Sequence, residues 1–459
     1  MKTRGKKYMK TLFVLVAMLT LPGFVVAQDI GKILEDRLKS APVGSSISVA
    51  VIDETGTKFY NTGKTSKDAN AKTVDKDTVY EIGSITKVFT GILLAEAVRR
   101  GEVKLDDPIS NYLPKTVNTP KFSGKEITLL DLTTQSSGLP SLPDDFKPKD
   151  PLNPYADYTV EQMYAFIGRV QLKHDIGAAF EYSNLGVGLL GHILALRAKM
   201  SYEDLVKDRI FKPLGMNDST ITLSSAMKAH LAIGHDAEGK QTPNWDLPTI
   251  AGAGALRSTA NDMAKFLSAN LGFSKIKIAE SMAEAQKIRR TFKASPVKIS
   301  FNWITTKPGD REIIWHNGGT FGYRTFAGMD KDLKKGVFVA TNSSDSVDDL
   351  GFHFLDSKAP LRKIEKPKNE ITLSESTLES YVGEYQLSPA LTIVVIHEGK
   401  KLFVLATMQP RFEIFAEKED EFFLKAVAAG ITFTKDENGK VSGLVLHQGG
   451  NNTPGKKVK

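Results

Sequence analysis

A serine and a lysine stand three residues apart in Ser84-Ile85-Thr86-Lys87, where a strand-like stretch, residues 78–82, passes through Gly83 into a helical pattern. This spacing places Lys87 one helical turn after Ser84 on the same face. A buried amine loses solvation and its pKa falls, so it can accept the serine proton. The free N–H groups of a helix start suit the oxyanion of acyl transfer. The pair predicts an acylated Ser84 activated by Lys87, although an N-cap serine and a surface lysine give the same pattern.

A second candidate group is Tyr182-Ser183-Asn184, which precedes a glycine-rich helical run, residues 185–191. A tyrosine beside a lysine ammonium can act as a phenolate or as a proton donor between nucleophile and leaving group. Asn184 carries both a carbonyl and an NH₂, so it can bond Lys87 and a substrate amide. A buried tyrosine with a satisfied hydroxyl and an asparagine in a turn are the structural alternative.

The third group is Trp315-His316-Asn317-Gly318-Gly319, at the end of a predicted strand. Gly318 and Gly319 allow the backbone to approach a ligand closely, and the Gly319 N–H is a candidate second oxyanion donor. His316 is a candidate for bonding the substrate or the Tyr182–Lys87 network. The other seven of the eight histidines are interpreted as structural, since they form no H-E-x-x-H pattern. The absence of cysteine excludes a thiolate metal site, and we expect no metal and no other cofactor.

The elements that position these groups lie at both ends of a first domain. Residues 47–52 and 58–60 form a predicted strand pair, and further strands are predicted at 313–315, 323–329 and 336–341. A long, mainly helical middle separates them. We expect one α/β domain of the α+β type, whose sheet collects the N- and C-terminal segments.

A smaller β-rich domain is predicted at the C-terminus. Residues 363–371 are charged and lack apolar periodicity, as a linker does. Beyond them lie seven strand-like runs separated by turn residues, at 381–386, 391–397, 401–405, 412–415, 421–424, 431–435 and 441–446. The spacing favours a small antiparallel barrel or sandwich. The predicted boundaries are a hydrolase domain over 28–362, a linker over 363–371 and a C-terminal domain over 372–459.

The N-terminus has the pattern of a secretory signal peptide over residues 1–27, cleaved after Ala27. It carries five lysines or arginines and no acid, so its removal lowers the formal charge from +8 to +3. A charge that small gives no reason to expect a nucleic-acid partner. The apolar run is short for an uncleaved anchor, so we expect a periplasmic or secreted protein with no stable membrane anchor after cleavage. ATP and nicotinamide cofactors are not generally available there.

The three motifs follow one another at separations of 98 and 134 residues, and together they resemble the class C β-lactamase and DD-peptidase superfamily. That family is marked by S-x-x-K, Y-x-N and a third K-T-G or H-x-G element. Residues 127–131, 137–140, 213–216 and 254–260 are also similar to it, so the resemblance covers about residues 31–345. It implies an antiparallel sheet flanked by helices.

The resemblance also implies roles for the site residues. Ser84 attacks a carbonyl, Lys87 and Tyr182 move protons, and the N–H groups of Ser84 and Gly319 bind the oxyanion. Asn184 orients Lys87 and the substrate amide, and water then releases the acyl group. The substrate is a small molecule or is derived from peptidoglycan.

His316 departs from the lysine that β-lactamases usually have at the third element. A histidine is mostly neutral near pH 7, so we expect weaker affinity for a substrate carboxylate. Arg324 on the following strand is a candidate for the missing charge, or else an exposed arginine at a sheet edge. A Ser-His-Asp esterase is disfavoured, because the sequence contains no G-x-S-x-G elbow.

Several activities remain open on these motifs. They are hydrolysis of β-lactam or D-amino-acid peptide amides, carboxylesterase activity, D-aminopeptidase activity, and a penicillin-binding or sensor module without turnover. The substrate, the base for deacylation, the role of the C-terminal domain and the oligomeric state are not determined by the sequence.

Overall fold

The computed structural model of the protein describes residues 22–293, 295–363, 370–388, 391–406, 411–424, 429–448 and 451–459. Residues 1–21 of the predicted signal peptide and residues 364–369 of the predicted linker lie outside this range. The signal peptide and the domain boundaries therefore stay predictions. Within the described part of the chain, no helix combines the length and apolar character needed to cross a membrane.

An eight-stranded antiparallel sheet forms the centre of the first domain. Its order is β2-β1-β12-β11-β10-β9-β8-β7, so strands from both ends of the domain meet in one sheet, as predicted. The strands are β1 (Ser46–Asp53), β2 (Gly56–Gly63), β7 (Arg290–Phe292), β8 (Ser295–Ile299), β9 (Ile304–Thr306), β10 (Ile313–Gly319), β11 (Arg324–Asp330) and β12 (Lys335–Thr341). Two small pairs accompany it, β3 (Val79–Glu81) with β6 (Arg257–Thr259) and β4 (Lys121–Phe122) with β5 (Lys125–Glu126).

Helices cover the sheet and form the region inserted between its strands. They are α1 (Pro22–Leu38), α2 (Thr86–Arg99), α3 (Leu129–Thr133), α4 (Val160–Ile167), α5 (Asn184–Ala198), α6 (Tyr202–Val206), α7 (Lys212–Leu214), α8 (Ser225–Lys228), α9 (Ala260–Asn270), α10 (Ala279–Ala285), α11 (Asp348–Leu355) and α12 (Glu375–Ser380). Short 3₁₀ turns occur at Gly83–Ile85, Ile109–Asn111 and Ala251–Ala253, and a π turn at Lys207–Phe211.

Both faces of the sheet are buried, so β1 is buried at every residue from Ser46 to Ile52 rather than at every second residue. Val49 packs on one face in a cluster with residues of α1 and α11. Ala50, its neighbour, points to the other face and joins the larger cluster that contains α2 and α9. In that cluster Phe89 stacks on Phe266 with ring centroids 4.2 Å apart. The α+β class predicted from the sequence is confirmed.

The C-terminal part contains a closed antiparallel barrel of eight strands. They are β13 (Gly383–Ser388), β14 (Leu391–Glu398), β15 (Lys401–Ala406), β16 (Arg411–Ala416), β17 (Glu421–Leu424), β18 (Ala429–Lys435), β19 (Val441–Gln448) and β20 (Asn451–Lys457). The seven predicted runs all fall in or overlap these strands. The barrel encloses its own core, where Tyr381 stacks on Phe433 at 4.3 Å.

Candidate active site

Ser84 lies in the 3₁₀ turn Gly83–Ile85, between β3 and α2. The predicted strand-to-helix junction is therefore present, with the α-helix beginning two residues later than expected. Thr325 Oγ1 donates a hydrogen bond of 3.0 Å to Ile82 O, which fastens this junction to β11. Residues 86–97 of α2 are all buried, so the helix that carries Lys87 is held on every side.

The Lys87 ammonium or amine is fully buried and has three hydrogen-bond neighbours. Its Nζ lies 2.9 Å from Ser84 Oγ, 2.7 Å from Asn184 Oδ1 and 2.6 Å from the carbonyl oxygen of Ala253. Burial lowers the pKa of Lys87 well below its usual value, because desolvation disfavours the charged form.

These three neighbours determine where the lone pair of a neutral Lys87 points. A neutral amine has two N–H groups and one lone pair, and a carbonyl oxygen can only accept. The two N–H groups therefore serve Asn184 Oδ1 and Ala253 O. The lone pair is left for the Ser84 hydroxyl, which is the geometry of a general base for this nucleophile.

The Tyr182 ring lies near both Lys87 and His316. Lys87 Nζ lies 4.8 Å from the centroid of its ring, and the ring of His316 lies 6.2 Å away. Burial raises the pKa of Tyr182, while a hydrogen bond with Ser84 acts in the opposite direction. The phenol is thus protonated near neutral pH, which favours a role as proton donor over the phenolate that the sequence left open.

Asn184 opens α5, and its position is fixed by the turn before it. The Ser183 side chain caps the helix by accepting from Gly186 N at 2.8 Å, as N-cap serines do. Ser183 N donates to Gln135 Oε1 at 2.7 Å. Gln135 itself has φ of +53°, a left-handed conformation uncommon for a side chain of this size.

His316 lies within β10, opposite Ala327 of β11. It is buried, and its Nδ1 is 2.6 Å from the carbonyl oxygen of Asn317. Burial lowers the pKa of His316 to about 3, and a proton on Lys87, when present, acts in the same direction. The histidine is therefore neutral near pH 7, and it supplies no positive charge where β-lactamases usually have a lysine.

The two glycines after His316 meet the Ser84 turn directly. A Cβ on Gly318 would collide with the carbonyl oxygen of Ile82. Gly83 has φ of +50°, and a Cβ on Gly83 would lie 2.7 Å from Gly319 N. The backbone N–H groups of Ser84 and Gly319 are thus carried by adjoining segments, as an oxyanion site requires.

Arg324 does not lie at a sheet edge, and that alternative expectation is wrong, because β11 is paired on both sides. Its register partner is Gly319, whereas Thr325, opposite Gly318, faces Ile82. Since successive strand residues point to opposite faces, Arg324 faces away from the His316 side. It is half-buried and donates to Tyr323 O at 2.8 Å and to Thr320 O.

A cavity of about 130 Å³ opens beside Ser84. Aromatic and aliphatic side chains that the sequence did not single out form one wall, namely Tyr155, Trp245, Leu247 and Ile250. Two other members of the site were also missed, the Ala253 carbonyl and Gln135. A backbone carbonyl leaves no signal in the residue type, and the aromatic residues resemble any core residues.

Two family descriptions match the chain. Residues 35–355 match the family described as Beta-lactamase. Residues 367–456 match a domain of unknown function, DUF3471. The first range contains every candidate site residue named above, and the second contains the barrel strands up to Lys456.

Curated relatives and solved structures are similar to the first of these regions. D-alanyl-D-alanine-carboxypeptidase/endopeptidase AmpH of Escherichia coli K12 is 28% identical over 354 residues, 72% of this chain and 90% of that protein. A crystal structure of a β-lactamase/D-alanine carboxypeptidase from Yersinia pestis, complexed with citrate, has 26% identity and a TM-score of 0.62, covering 71% of this chain and 94% of that one. A class C β-lactamase from Rhodobacter sphaeroides, at 24% identity and a TM-score of 0.60, covers 70% and 94% and shows the shared fold.

Proposed function

Because the chain belongs to the β-lactamase family, we propose that it is an exported serine acyl hydrolase that forms an acyl-enzyme at Ser84 and acts on β-lactam or D-amino-acid peptide amide bonds. The observation that carries this proposal is the set of contacts at Lys87. Two acceptor-only oxygens occupy its N–H groups, so its lone pair is directed at Ser84 Oγ, 2.9 Å away. The names of AmpH and of the Yersinia pestis enzyme support the same class of substrate.

The proposed reaction has two halves, acylation of Ser84 and hydrolysis of the acyl-enzyme. Ser84 Oγ attacks the amide carbonyl while Lys87 takes its proton, and the N–H groups of Ser84 and Gly319 stabilise the oxyanion. The C–N bond then breaks, and the Tyr182 hydroxyl protonates the departing nitrogen, regaining a proton from Lys87. In the second half water attacks the acyl carbonyl, the bond between the acyl carbon and Ser84 Oγ breaks, the proton lost by the water is passed to Ser84 Oγ, and the carboxylic acid leaves. Asn184 holds Lys87 and offers its NH₂ to the substrate amide.

Carboxylic ester hydrolysis is the second candidate, favoured by the electrostatics of the third motif. His316 is neutral, with a pKa of about 3, and Arg324 faces the other side of the sheet. These two groups therefore add little affinity for a substrate carboxylate. A neutral ester, which has no carboxylate, is not at a disadvantage in binding.

The surroundings of the reaction are part of the proposal. We expect cleavage after Ala27, a periplasmic or extracellular location, and small-molecule or peptidoglycan-derived substrates, with no cofactor and no nucleic-acid partner. The apolar N-terminal run and the modest charge without it support this.

Steady-state rates on three substrates test the activity: nitrocefin, a peptide ending in D-Ala-D-Ala, and a p-nitrophenyl ester. The Ser84→Ala variant is the control. We expect turnover of an amide substrate that Ser84→Ala abolishes. A dominant ester rate would favour the second candidate. Labelling by penicillin without turnover would indicate a sensor module, and release of an N-terminal D-amino acid would indicate a D-aminopeptidase.

A further inference from the structure

A buried ion pair lies beneath the candidate site and is not used by the proposed reaction. Glu81 on β3 and Arg257 on β6 face each other in register. They are 3% and 5% exposed, and Arg257 Nη2 lies 3.2 Å from Glu81 Oε1. A buried pair gains little net stability, because desolvation of both charges offsets their attraction. Glu81 lies three residues before Ser84, so the other contacts of the pair bear on the site.

The ion pair is hydrogen-bonded to the backbone N–H and the backbone carbonyl of Trp245. Trp245 N donates to Glu81 Oε1 at 2.9 Å, and Arg257 Nη2 donates to Trp245 O at 2.7 Å. The Trp245 ring packs edge-on against Tyr155 and Phe321, with ring centroids 5.1 Å apart in both pairs. Since Trp245 and Tyr155 line the cavity at Ser84, the ion pair fixes this wall through its backbone.

The same carboxylate faces the segment that carries the second oxyanion donor. Burial raises the pKa of Glu81, and Arg257, Thr320 and Asn244 each act against that rise. Thr320 directly follows Gly319, and Gly83, two residues after Glu81, lies so close to Gly319 that a Cβ on Gly83 would be 2.7 Å from Gly319 N. Neither Glu81 Oε2 nor Thr320 Oγ1 completes a hydrogen bond to another described residue.

Glu81 therefore stands where three segments meet: its own strand, which leads into Ser84; the turn Gly319-Thr320; and the loop at Trp245. We propose that Glu81 is a positioning residue whose carboxylate sets the separation of the two oxyanion N–H groups and the cavity wall. It contacts none of the reacting atoms. The inference rests on the proposed acyl-enzyme at Ser84, and it adds that the rate of acylation depends on Glu81.

The Glu81→Gln variant tests the role, because it keeps the shape and one acceptor while removing the charge that pairs with Arg257. Glu102→Gln is the matched control, since Glu102 forms a two-point ion pair with Arg209, at 2.8 and 2.9 Å, and does not line the cavity at Ser84. Two quantities are measured, the rate of labelling by a fluorescent penicillin or a fluorophosphonate and the affinity for an arylboronic acid. The boronic acid forms a tetrahedral adduct with the serine and so reports on the oxyanion site.

We expect Glu81→Gln to slow labelling by about tenfold to a hundredfold and to weaken boronic acid binding by a similar factor, as misplacement of reacting groups does. Glu102→Gln should change both by less than about twofold at a comparable loss of melting temperature. Equal labelling rates and equal boronic acid affinities in the two variants would overturn the positioning role.

Thr320→Val gives a second test that removes only a hydroxyl, and it decides the matter if Glu81→Gln does not fold. Slower labelling, by about threefold or more, is expected because a methyl group replaces the hydroxyl that offsets the burial of the Glu81 carboxylate; wild-type labelling would overturn the role. A wild-type protein that neither probe labels would count against the acyl-enzyme itself, and the inference would fall with it.

Discussion

Lys87 is held in a place that favours its neutral form. Its amine is fully buried among Ser84 Oγ, Asn184 Oδ1 and Ala253 O, and within the described residues no carboxylate is hydrogen-bonded to it. In the proposed reaction this arrangement provides a base at the nucleophile, and burying the amine lowers the stability of the fold, as is common at active sites.

Lys87→Met separates these two effects. We expect acylation to fall by a factor of about 10² to 10⁴, the usual contribution of a positioned proton acceptor, with little change in noncovalent binding of the substrate. Stopped-flow measurement of labelling against probe concentration distinguishes the two. An unchanged limiting rate of acylation would contradict the role given to Lys87.

The same residue predicts how stability depends on pH. Because the pKa of Lys87 is lowered in the folded protein, the unfolded chain binds one more proton between that lower value and the ordinary 10.5. Stability should therefore rise with pH in this window, by up to about 1.4 kcal/mol per pH unit. Urea unfolding of the wild type and of Lys87→Met between pH 6 and 10 measures it. Parallel pH profiles of the two proteins would count against a buried neutral lysine.

We expect that titration of His316 does not contribute to the pH dependence of the reaction. Its pKa of about 3 keeps it neutral at all pH values above about 4, so no change of its charge occurs between pH 5 and 8. We expect kcat/KM against pH to have the same shape in the wild type and in His316→Gln. A limb near pH 6.5 that the substitution removes would show that His316 titrates in the free enzyme.

At this scale the sequence identified side chains well and backbone groups poorly. The sequence predicted the side chains that lie together at the site, because their types and spacing indicate the chemistry. They are Ser84, Lys87, Tyr182, Asn184 and His316. The Ala253 carbonyl was not predicted, since every residue type carries one. Glu81 was missed because an acid in a short strand looks like an ordinary surface residue until its partner is known.

Among the elements, the close approach of the Ser84 turn to the end of β10 is the most constrained feature. Gly83 combines a positive φ of +50° with a would-be Cβ 2.7 Å from Gly319 N. That contact is with backbone, so no side chain can move aside to relieve it.

Gly83→Ala should therefore separate the two oxyanion segments and lower acylation by about a hundredfold. Gly101→Ala is a matched control, because Gly101 has φ of +69° and nothing within 4 Å of its would-be Cβ. Both variants bear the strain of a left-handed alanine, about 1 kcal/mol, but only the first meets a neighbour. Equal labelling rates in the two variants would show that this contact does not shape the site.

Five of the eight strands of the central sheet were predicted; β7, β8 and β9 were missed because they are only three to five residues long and follow a stretch interpreted as mainly helical. The strand β1 follows from a β-branched run, and the turn at Gly56 lets the chain return beside it as β2. The last barrel strand, Asn451–Lys457, was not predicted, because it contains Pro454 and Gly455 and lacks a β-branched run. It is a strand because barrel closure pairs it with both β13 and β19. The interior position of Arg324 likewise depends on sheet order, which residue types do not encode.

In the whole molecule, the described residues form separate cores in the hydrolase region and the barrel. All hydrogen bonds used above to build the candidate site join residues before 330. We therefore expect a protein ending at residue 362 to label at Ser84 at a rate within a few-fold of the full chain, since no site group is removed. A folded truncated protein that fails to label would assign the barrel a part in the site.

The most direct test of the acyl-enzyme at Ser84 is intact-mass spectrometry after brief incubation with a penicillin and, separately, with a p-nitrophenyl ester. We predict a single added acyl group with at least one of the two, located by proteolysis on the peptide that contains Ser84 and absent from Ser84→Ala. An adduct that persists in Ser84→Ala, or no adduct from either reagent while substrate is turned over, would contradict it.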